Sequence, residues 1–184
     1  MKLGKFILPL LLIAPLSTHA DTFEPNTTFR ACFTPGEPCT SIIVDQINQA
    51  QHTINVQAYT VTSRPIVNAL IAAHRRGIDV DVIADKSQFK SGVYSRVQQL
   101  IRSGIPVWED DTLDIAHNKV MIFDNTTVET GSFNYSASAQ KYNAENVLII
   151  TSPRLAALYL ANWQARQKVS QLIPAKAETK RSRW

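Results

Sequence analysis

The sequence predicts an α/β fold: a three-layer α/β/α sandwich around a mixed, mostly parallel central sheet. Between residues 29 and 109, stretches with the twofold alternation of strands take turns with stretches whose apolar residues recur at helical spacing. This order predicts parallel β-α-β units. Farther along, two alternating stretches meet at a tight-turn signal, which predicts a hairpin and makes the sheet mixed. A chain of 184 residues is long enough for one such domain.

Strands and helices alternate in the first half of the chain. Strands are predicted at 29–33, 53–58, 78–84 and 106–109. Helices are predicted between them, at 41–51, 63–77 and 93–102. The second helix has the clearest limits, since Ser63 is a suitable N-cap, Pro65 lies in the first turn, and Gly77 is a stop signal.

The second half begins with the predicted hairpin. His117 and Lys119 would face the same side of its first strand, so the imidazole and the ammonium would lie about 6 to 7 Å apart along the backbone. Asp124-Asn125 is the turn signal, and residues 127–130 form the returning strand.

The rest of the chain completes the fold. An apolar strand is expected at 146–151, and a helix at 154–170 follows the cap-then-proline start Ser152-Pro153. The predicted domain covers residues 21–173, and residues 174–184 form a basic tail.

Residues 1–20 have the features of a secretory signal peptide. Lys2 and Lys5 precede an apolar run, and Ala20 is a small residue at the predicted cleavage point. The run is too short for a comfortable membrane span. We expect a periplasmic or secreted protein without a stable membrane span after cleavage, and an uncleaved N-terminal anchor is the alternative.

The chain has two cysteines, Cys32 and Cys39, separated by a turn that contains Pro35 and Gly36. In an oxidising compartment we expect them to form a disulfide. They do not predict a metal site, because no second Cys or His pair lies at ligand spacing. Neither cysteine is close in the chain to the motif histidine, so we do not expect a cysteine nucleophile.

The residues around the hairpin form one spaced motif. His117, Lys119, Asp124, Ser132 and Asn134 follow the pattern His-x-Lys-x4-Asp-x6-Gly-Ser-x-Asn. This pattern resembles the signature of the phospholipase D superfamily. Residues 128–135 and 143–146 resemble its small, secreted Nuc-type endonucleases, and the resemblance extends over about 29–163. It implies the same sandwich fold and a phosphodiester substrate.

The side chains of the motif suit chemistry at phosphorus. A neutral imidazole, here His117, can attack phosphorus and form a phosphohistidine. Lys119 would supply positive charge for the non-bridging oxygens, and Ser132 and Asn134 would add hydrogen bonds. Other nucleases assign this work to a divalent metal, but no cluster of acidic residues occurs here. We therefore expect no metal, no cofactor and activity in EDTA.

Two acidic residues are candidates to orient the imidazole. The resemblance implies that Glu145 is the partner of His117, while Asp124 organises the site through nearby polar groups. The alternative for Glu145 is a surface acid at the start of a strand. Glu129 alternates with Val128 and is expected to face solvent or to be structural.

One motif supplies one histidine, whereas the reaction needs a nucleophile and an acid for the leaving oxygen. A twofold homodimer would bring two copies of His117 into one site. A monomer that uses another acid is the alternative. His52 and His74 are expected to face solvent.

The resemblance favours nucleic acid, DNA with RNA as a second candidate, as the substrate and partner. Lys86 and Lys90 follow a predicted strand and could contact the phosphate backbone of the nucleic acid. Ordinary solvated charge explains these two lysines equally well. Little sequence specificity is expected. The alternatives are a phospholipase D acting on phospholipids, and a non-catalytic nucleic-acid-binding protein of a secretion or conjugation system.

Overall fold

The computed structural model describes residues 20–175. The strands in this part are β1 (Thr28–Thr34), β2 (Thr53–Ala58), β3 (Asp79–Asp85), β4 (Val107–Asp110), β5 (Lys119–Phe123), β6 (Thr127–Gly131), β7 (Glu145–Thr151) and β8 (Gln171–Leu172). The helices are α1 (Cys39–Gln49), α2 (Arg64–Arg75), α3 (Val97–Arg102), α4 (Ala137–Lys141) and α5 (Pro153–Val169), with a 3₁₀ helix at Lys86–Phe89.

One eight-stranded sheet in the order β1-β7-β6-β5-β2-β3-β4-β8 forms the middle layer. The sandwich and its mixed sheet are confirmed, but the predicted majority of parallel pairs is wrong. Only β2–β3 and β3–β4 are parallel among the strand pairs of the described residues. The reason is strand order: β1 and β2 are joined through α1, yet β7, β6 and β5 lie between them. Each of these three strands runs antiparallel to its neighbours.

Both faces of the sheet are covered, which confirms the three layers. On one face, Met121 and Phe123 of β5 belong to the large cluster that includes the apolar sides of α1 and α2. On the other face, Val120 and Ile122 pack with Trp163 of α5. All five residues of β5 are buried, so this strand is central and alternates between two cores.

Several short elements differ from the sequence prediction. The polar loop expected after β3 contains the 3₁₀ helix, and α3 begins at Val97 rather than at Val93. The short elements α4 and β8 were not predicted. Elements of two to five residues are too short to show a periodic pattern, so tertiary contacts decide them.

Two sequence predictions concern residues that lie outside the described part. These are the signal peptide, of which residues 1–19 lie outside, and most of the basic tail, residues 176–184. In the stretch from 20 to 175, no helix is both long and apolar enough to cross a bilayer.

The predicted Cys32–Cys39 disulfide is present, with Cα atoms 5.6 Å apart. Cys32 belongs to the edge strand β1, and Cys39 is the first residue of α1. Both residues are fully buried. The bond therefore ties the edge of the sheet to the first covering helix.

Reduction of this disulfide should lower the free energy of unfolding by about 2 to 3 kcal/mol, because it frees a short loop in the unfolded chain. The melting temperature should fall by roughly 5 to 10 °C. The measurement is thermal unfolding with and without reductant. The Cys32→Ala/Cys39→Ala variant is the control, since its melting should not respond to reductant. Equal melting of the wild type in both conditions would contradict a stabilising bond.

Candidate active site

The candidate site lies at one edge of the sheet, where the carboxyl ends of β2, β3 and β6 meet the start of β5 and β7. The register fixes this meeting point. Ala58, the last residue of β2, is opposite Lys119, the first residue of β5. Gly131, at the end of β6, is opposite Val147 near the start of β7. The edge thus brings together five of the six residues predicted to be catalytic: His117, Lys119, Ser132, Asn134 and Glu145.

His117 lies just before β5 and is exposed. One face of its ring packs against Tyr59, with ring centroids 4.6 Å apart and planes tilted by 53°. Tyr59 is in turn held to the same stretch, because its backbone N–H donates to the carbonyl oxygen of Asn118 at 2.8 Å. The imidazole is therefore braced on one side and open on the other, which suits an attacking group.

Lys119 is almost buried, with 6% of its surface exposed. Its Nζ donates to the carbonyl oxygen of His117 at 2.8 Å and lies 5.2 Å from the centroid of the Tyr59 ring. Burial lowers the pKa of Lys119, and the negative charge of Glu145 acts in the opposite direction. A poorly hydrated ammonium attracts an anionic phosphate more strongly than a fully hydrated one. Lys119 thus offers a fixed cation next to the imidazole.

Ser132 and Glu145 form a bonded pair at this edge. The Ser132 hydroxyl donates to Oε2 of Glu145 at 2.5 Å and accepts from the backbone N–H of Asn146 at 3.1 Å. The side chain of Asn143 donates to Oε1 of Glu145 at 2.8 Å. Within residues 20–175 of one chain, Glu145 therefore bonds to Ser132 and Asn143, not to the predicted partner His117. The hydroxyl proton of Ser132 is likewise engaged in the hydrogen bond to Glu145.

Asn134 is the last motif residue at this edge, two positions after Ser132. Its neighbours Phe133 and Tyr135 are buried in the core, so alternation turns Ser132 and Asn134 to the other side. Oδ1 of Asn134 is buried and has no hydrogen-bond partner among the described residues. The close packing that orients this segment requires Gly131, since a Cβ there would collide with the carbonyl oxygen of Asn146. A buried polar group without a partner is suited to a ligand.

The structure does not place Asp124 in the site. Asp124 follows the last residue of β5, so it lies about 17 Å from Lys119 along the strand. Its carboxylate accepts from the backbone N–H groups of Gln51 at 2.9 Å, His52 at 2.7 Å and Thr53 at 3.0 Å. Burial raises the pKa of Asp124, but these three bonds outweigh it, and the net pKa is lowered. Asp124 holds the start of β2 instead of organising the catalytic edge.

Lys86 and Lys90 lie in the segment after β3, next to the site edge. Nζ of Lys86 donates to the carbonyl oxygen of Leu113 at 2.7 Å, so this ammonium holds the loop that leads to His117. Lys90 is exposed. A contact of either lysine with substrate stays a prediction.

Sequence reasoning missed two residues that position His117. Tyr59 supports its ring, as described above. Asp85 is 2% exposed, and its carboxylate accepts from the backbone N–H of Ser87 at 2.8 Å and of Ala116 at 2.8 Å. It thereby fixes the residue before His117. A signal existed, because Tyr59 and Asp85 stand at the carboxyl ends of β2 and β3, where α/β sites open.

Glu129 has the structural one of the two roles expected for it. It does not face solvent: it is fully buried, and its Oε2 accepts from the Tyr135 hydroxyl at 2.6 Å. Burial raises the pKa of Glu129 to about 8, while the bond from Tyr135 lowers it in part. The structural alternative is the one observed. The pair ties β6 to the segment that carries Ser132 and Asn134.

Comparison with known proteins agrees with this geometry. The family described as cardiolipin synthase, PLD-like domain, matches residues 43–166. The chain belongs to the phospholipase D superfamily. A phospholipase D of Rickettsia felis is 46% identical over 155 residues, which are 84% of this chain and 77% of that protein. The family match and the relatives named phospholipase D make this chain a phosphodiesterase of that superfamily.

Solved structures give the same relationship. The crystal structure of Nuc from Salmonella typhimurium, a phospholipase D family member, is similar with a TM-score of 0.75 and 34% identity. The match covers 80% of this chain and 99% of Nuc. NucT from Helicobacter pylori shares the fold, with a TM-score of 0.75, 22% identity and the same coverage of 80% and 99%. The prediction of a Nuc-type member of the phospholipase D superfamily is confirmed.

Asp124→Asn should separate the structural role of this motif aspartate from catalysis. Asn tolerates the positive φ of 50° at this position, but its neutral amide is a weaker acceptor for three N–H groups. We expect a loss of about 1 to 3 kcal/mol in unfolding free energy and little change in turnover per folded molecule. Denaturant unfolding measures the free energy of unfolding, and the turnover rate divided by the concentration of folded protein measures catalysis. The control is Asp45→Asn, a change of an exposed carboxylate. A folded variant that has lost turnover would return Asp124 to the catalytic residues.

Glu129→Gln should change how stability depends on pH. The folded pKa is about 8 and the unfolded value is near 4.5, so the folded state retains a proton that the unfolded state loses between these values. The free energy of unfolding of the wild type should therefore fall as pH rises through this window. The variant has no carboxyl to titrate at this position, so its stability should lack this contribution.

Urea unfolding of the wild type and of Glu129→Gln between about pH 5 and pH 9 measures this effect. The difference between the two free energies should grow in favour of the variant up to about pH 8 and then level off, by a few kcal/mol at most. Asp45→Asn, a change of an exposed carboxylate, is again the control. A difference that is constant with pH would show that Glu129 does not titrate in this range.

Proposed function

We propose that the protein is a metal-independent, sequence-nonspecific endonuclease that hydrolyses phosphodiester bonds of DNA, with RNA as a second candidate, in a homodimeric site. The observation that supports it best is the exposed imidazole of His117, braced by Tyr59 and flanked by the ammonium of Lys119. The match to Nuc over almost the whole of that chain supports the nuclease assignment.

In the first step, a neutral His117 attacks phosphorus. A nitrogen–phosphorus bond forms, the bond from phosphorus to the leaving oxygen breaks, and this oxygen takes a proton from an acid. Charge on the non-bridging oxygens is stabilised by Lys119 and by the side-chain amide of Asn134. In the second step, water attacks the phosphohistidine, and His117 is regenerated.

The acid would come from the second copy of the chain. Each chain supplies one motif histidine, and His52 and His74 lie away from the catalytic edge, one after α1 and the other in the last turn of α2. In a twofold dimer, the partner's His117 would protonate the leaving oxygen and then deprotonate water, so that the two histidines exchange roles.

Metal independence is supported by the kinds of side chains at the site. A lysine and an amide provide the positive charge and hydrogen bonds that a divalent cation supplies elsewhere. In residues 20–175, Cys32, Glu37 and Cys39 are the one group of three metal-ligand side chains within mutual reach, and both sulfurs are consumed by the disulfide.

The second candidate function is a phospholipase D acting on phospholipids. The 46% identical Rickettsia felis relative has that name. The structure adds an observation of its own, because Leu113 and Ile115, just before His117, are 47% and 54% exposed. These two apolar side chains of an otherwise mostly polar loop point outward. Such residues could touch a lipid surface, or the second copy in a dimer.

Export is part of the proposal. The Cys32–Cys39 bond suits the oxidising periplasm or exterior, where disulfides persist. It agrees with the leader features of residues 1–20.

The test is nicking of supercoiled plasmid by the purified protein in excess EDTA. The wild type should cleave, and His117→Asn should lose at least about 10³-fold in rate while it stays folded. Phosphatidyl vesicles in the same buffer test the second candidate. Cleavage of lipid without cleavage of plasmid would replace the nuclease assignment, and equal cleavage by the variant would overturn His117 as the nucleophile.

A further inference from the structure

A groove with a volume of about 500 Å³ opens between the start of α2, residues 94–96 and α4. Six of the residues that line it matter here: Thr62, Ser63, Arg64, Tyr94, Arg96 and Lys141. None of the site residues described above lies in its wall.

The charge of the groove has one sign. Arg64, Arg96 and Lys141 contribute three positive charges, and no acidic side chain is among its lining residues. The side chains of Arg64 and Lys141 are exposed and have no hydrogen bond or ion pair with other residues in the range 20–175. Unpaired cations around a concave surface attract a polyanion.

One wall of the groove is an aromatic platform. Tyr94 is 67% exposed, so its ring is accessible to a ligand in the groove. Arg96 fixes this ring: its guanidinium donates to the Tyr94 hydroxyl at 2.6 Å and lies 5.5 Å from the ring centroid. Arg96 is itself anchored to the carbonyl oxygen of Thr62 at 3.1 Å and to the side chain of Gln99 at 3.0 Å.

The groove continues from the catalytic edge. Thr62 follows Tyr59, the residue packed on His117, by three positions, so the two lie at most about 11 Å apart. The backbone N–H groups of Thr62 and Ser63 donate to the carbonyl oxygen of Tyr135 at 2.9 and 2.7 Å. Tyr135 follows Asn134 directly, so the groove wall is bonded to the site segment. Duplex DNA has one phosphate per strand for about every 3.4 Å of helix axis, so a groove that begins at most about 11 Å from Tyr59 lies within a few nucleotides of the reacting one.

We propose that this groove is a subsite for the nucleic-acid strand that leaves the catalytic edge: Arg64 and Lys141 contact phosphates, and Tyr94 stacks on a base. The proposal rests on the proposed nuclease function and names how that site holds its substrate. Stacking on Tyr94 accepts any base, and phosphate contacts carry no sequence information. The subsite therefore adds affinity without sequence specificity.

The first experiment measures binding of a fluorescent mixed-sequence oligonucleotide in the His117→Asn background, where no cleavage occurs. Arg64→Ala/Lys141→Ala should weaken binding on the order of tenfold and reduce the slope of log K against log salt by about 1.4 to 1.8. The control, Arg75→Ala/Arg102→Ala, removes the same charge. Arg75 lies at the other end of α2, about 16 Å from Arg64. Equal weakening by both variants would overturn the proposal.

The second experiment tests the platform. Tyr94→Ala should weaken oligonucleotide binding at least about fivefold, whereas Tyr94→Phe keeps the ring and should retain most of the affinity. Equal affinity of Tyr94→Ala and the wild type would overturn the stacking role.

The third measurement separates this proposal from the proposed function. The ratio of kcat/KM for the oligonucleotide to that for bis(p-nitrophenyl) phosphate should fall about tenfold in Arg64→Ala/Lys141→Ala, because the small diester cannot reach the groove. If the wild type cleaves neither substrate, the nuclease function fails, while the binding data still decide the subsite. A loss of dimer in sedimentation by the groove variants, with an unchanged ratio, would assign the groove to a chain–chain interface and overturn the proposal.

Discussion

The position of His117 depends on the pairing of β5 with β2. Five residue pairs join these antiparallel strands, from Ile54–Phe123 to Ala58–Lys119. Asp124 anchors one end through three backbone N–H groups, and the bond from Tyr59 to Asn118 closes the other. A shift of one residue would exchange the two faces of β5, whose residues are all buried, and would carry the ammonium of Lys119 away from the site.

Hydrogen bonds of buried polar groups hold the loop segments next to these strands in place. The carboxylate of Asp85 holds the approach to His117, and the bond between Tyr135 and Glu129 holds the segment after β6. Burying such groups costs free energy unless they are hydrogen-bonded. For Glu129 burial favours the neutral form, since only one of its oxygens has a partner among the described residues. The polar groups below the surface therefore serve to position those at the catalytic edge.

Local patterns in the sequence predicted local structure and most of the residues that meet at the site edge, but not the relations between distant segments. The alternation in β5 and the capping signals of α2 depend on neighbouring residues, and the structure has both elements. Parallel or antiparallel pairing depends on strand order, which no local pattern contains, so the insertion of three strands between β1 and β2 was missed. Motif spacing likewise suggested that Asp124 belongs with Lys119, although four residues of extended strand separate the two.

The same distinction applies to charge. The chain has a formal net charge of only +4, too little for a strong overall attraction to a polyanion. What the sequence does not show is that Arg64, Arg96 and Lys141, from three separate segments, line one groove without an acidic neighbour. A field concentrated in this way acts within about one Debye length, roughly 8 to 10 Å at ordinary salt. Attraction would thus be local to the strand already held at the site, which suits an enzyme that must release its products.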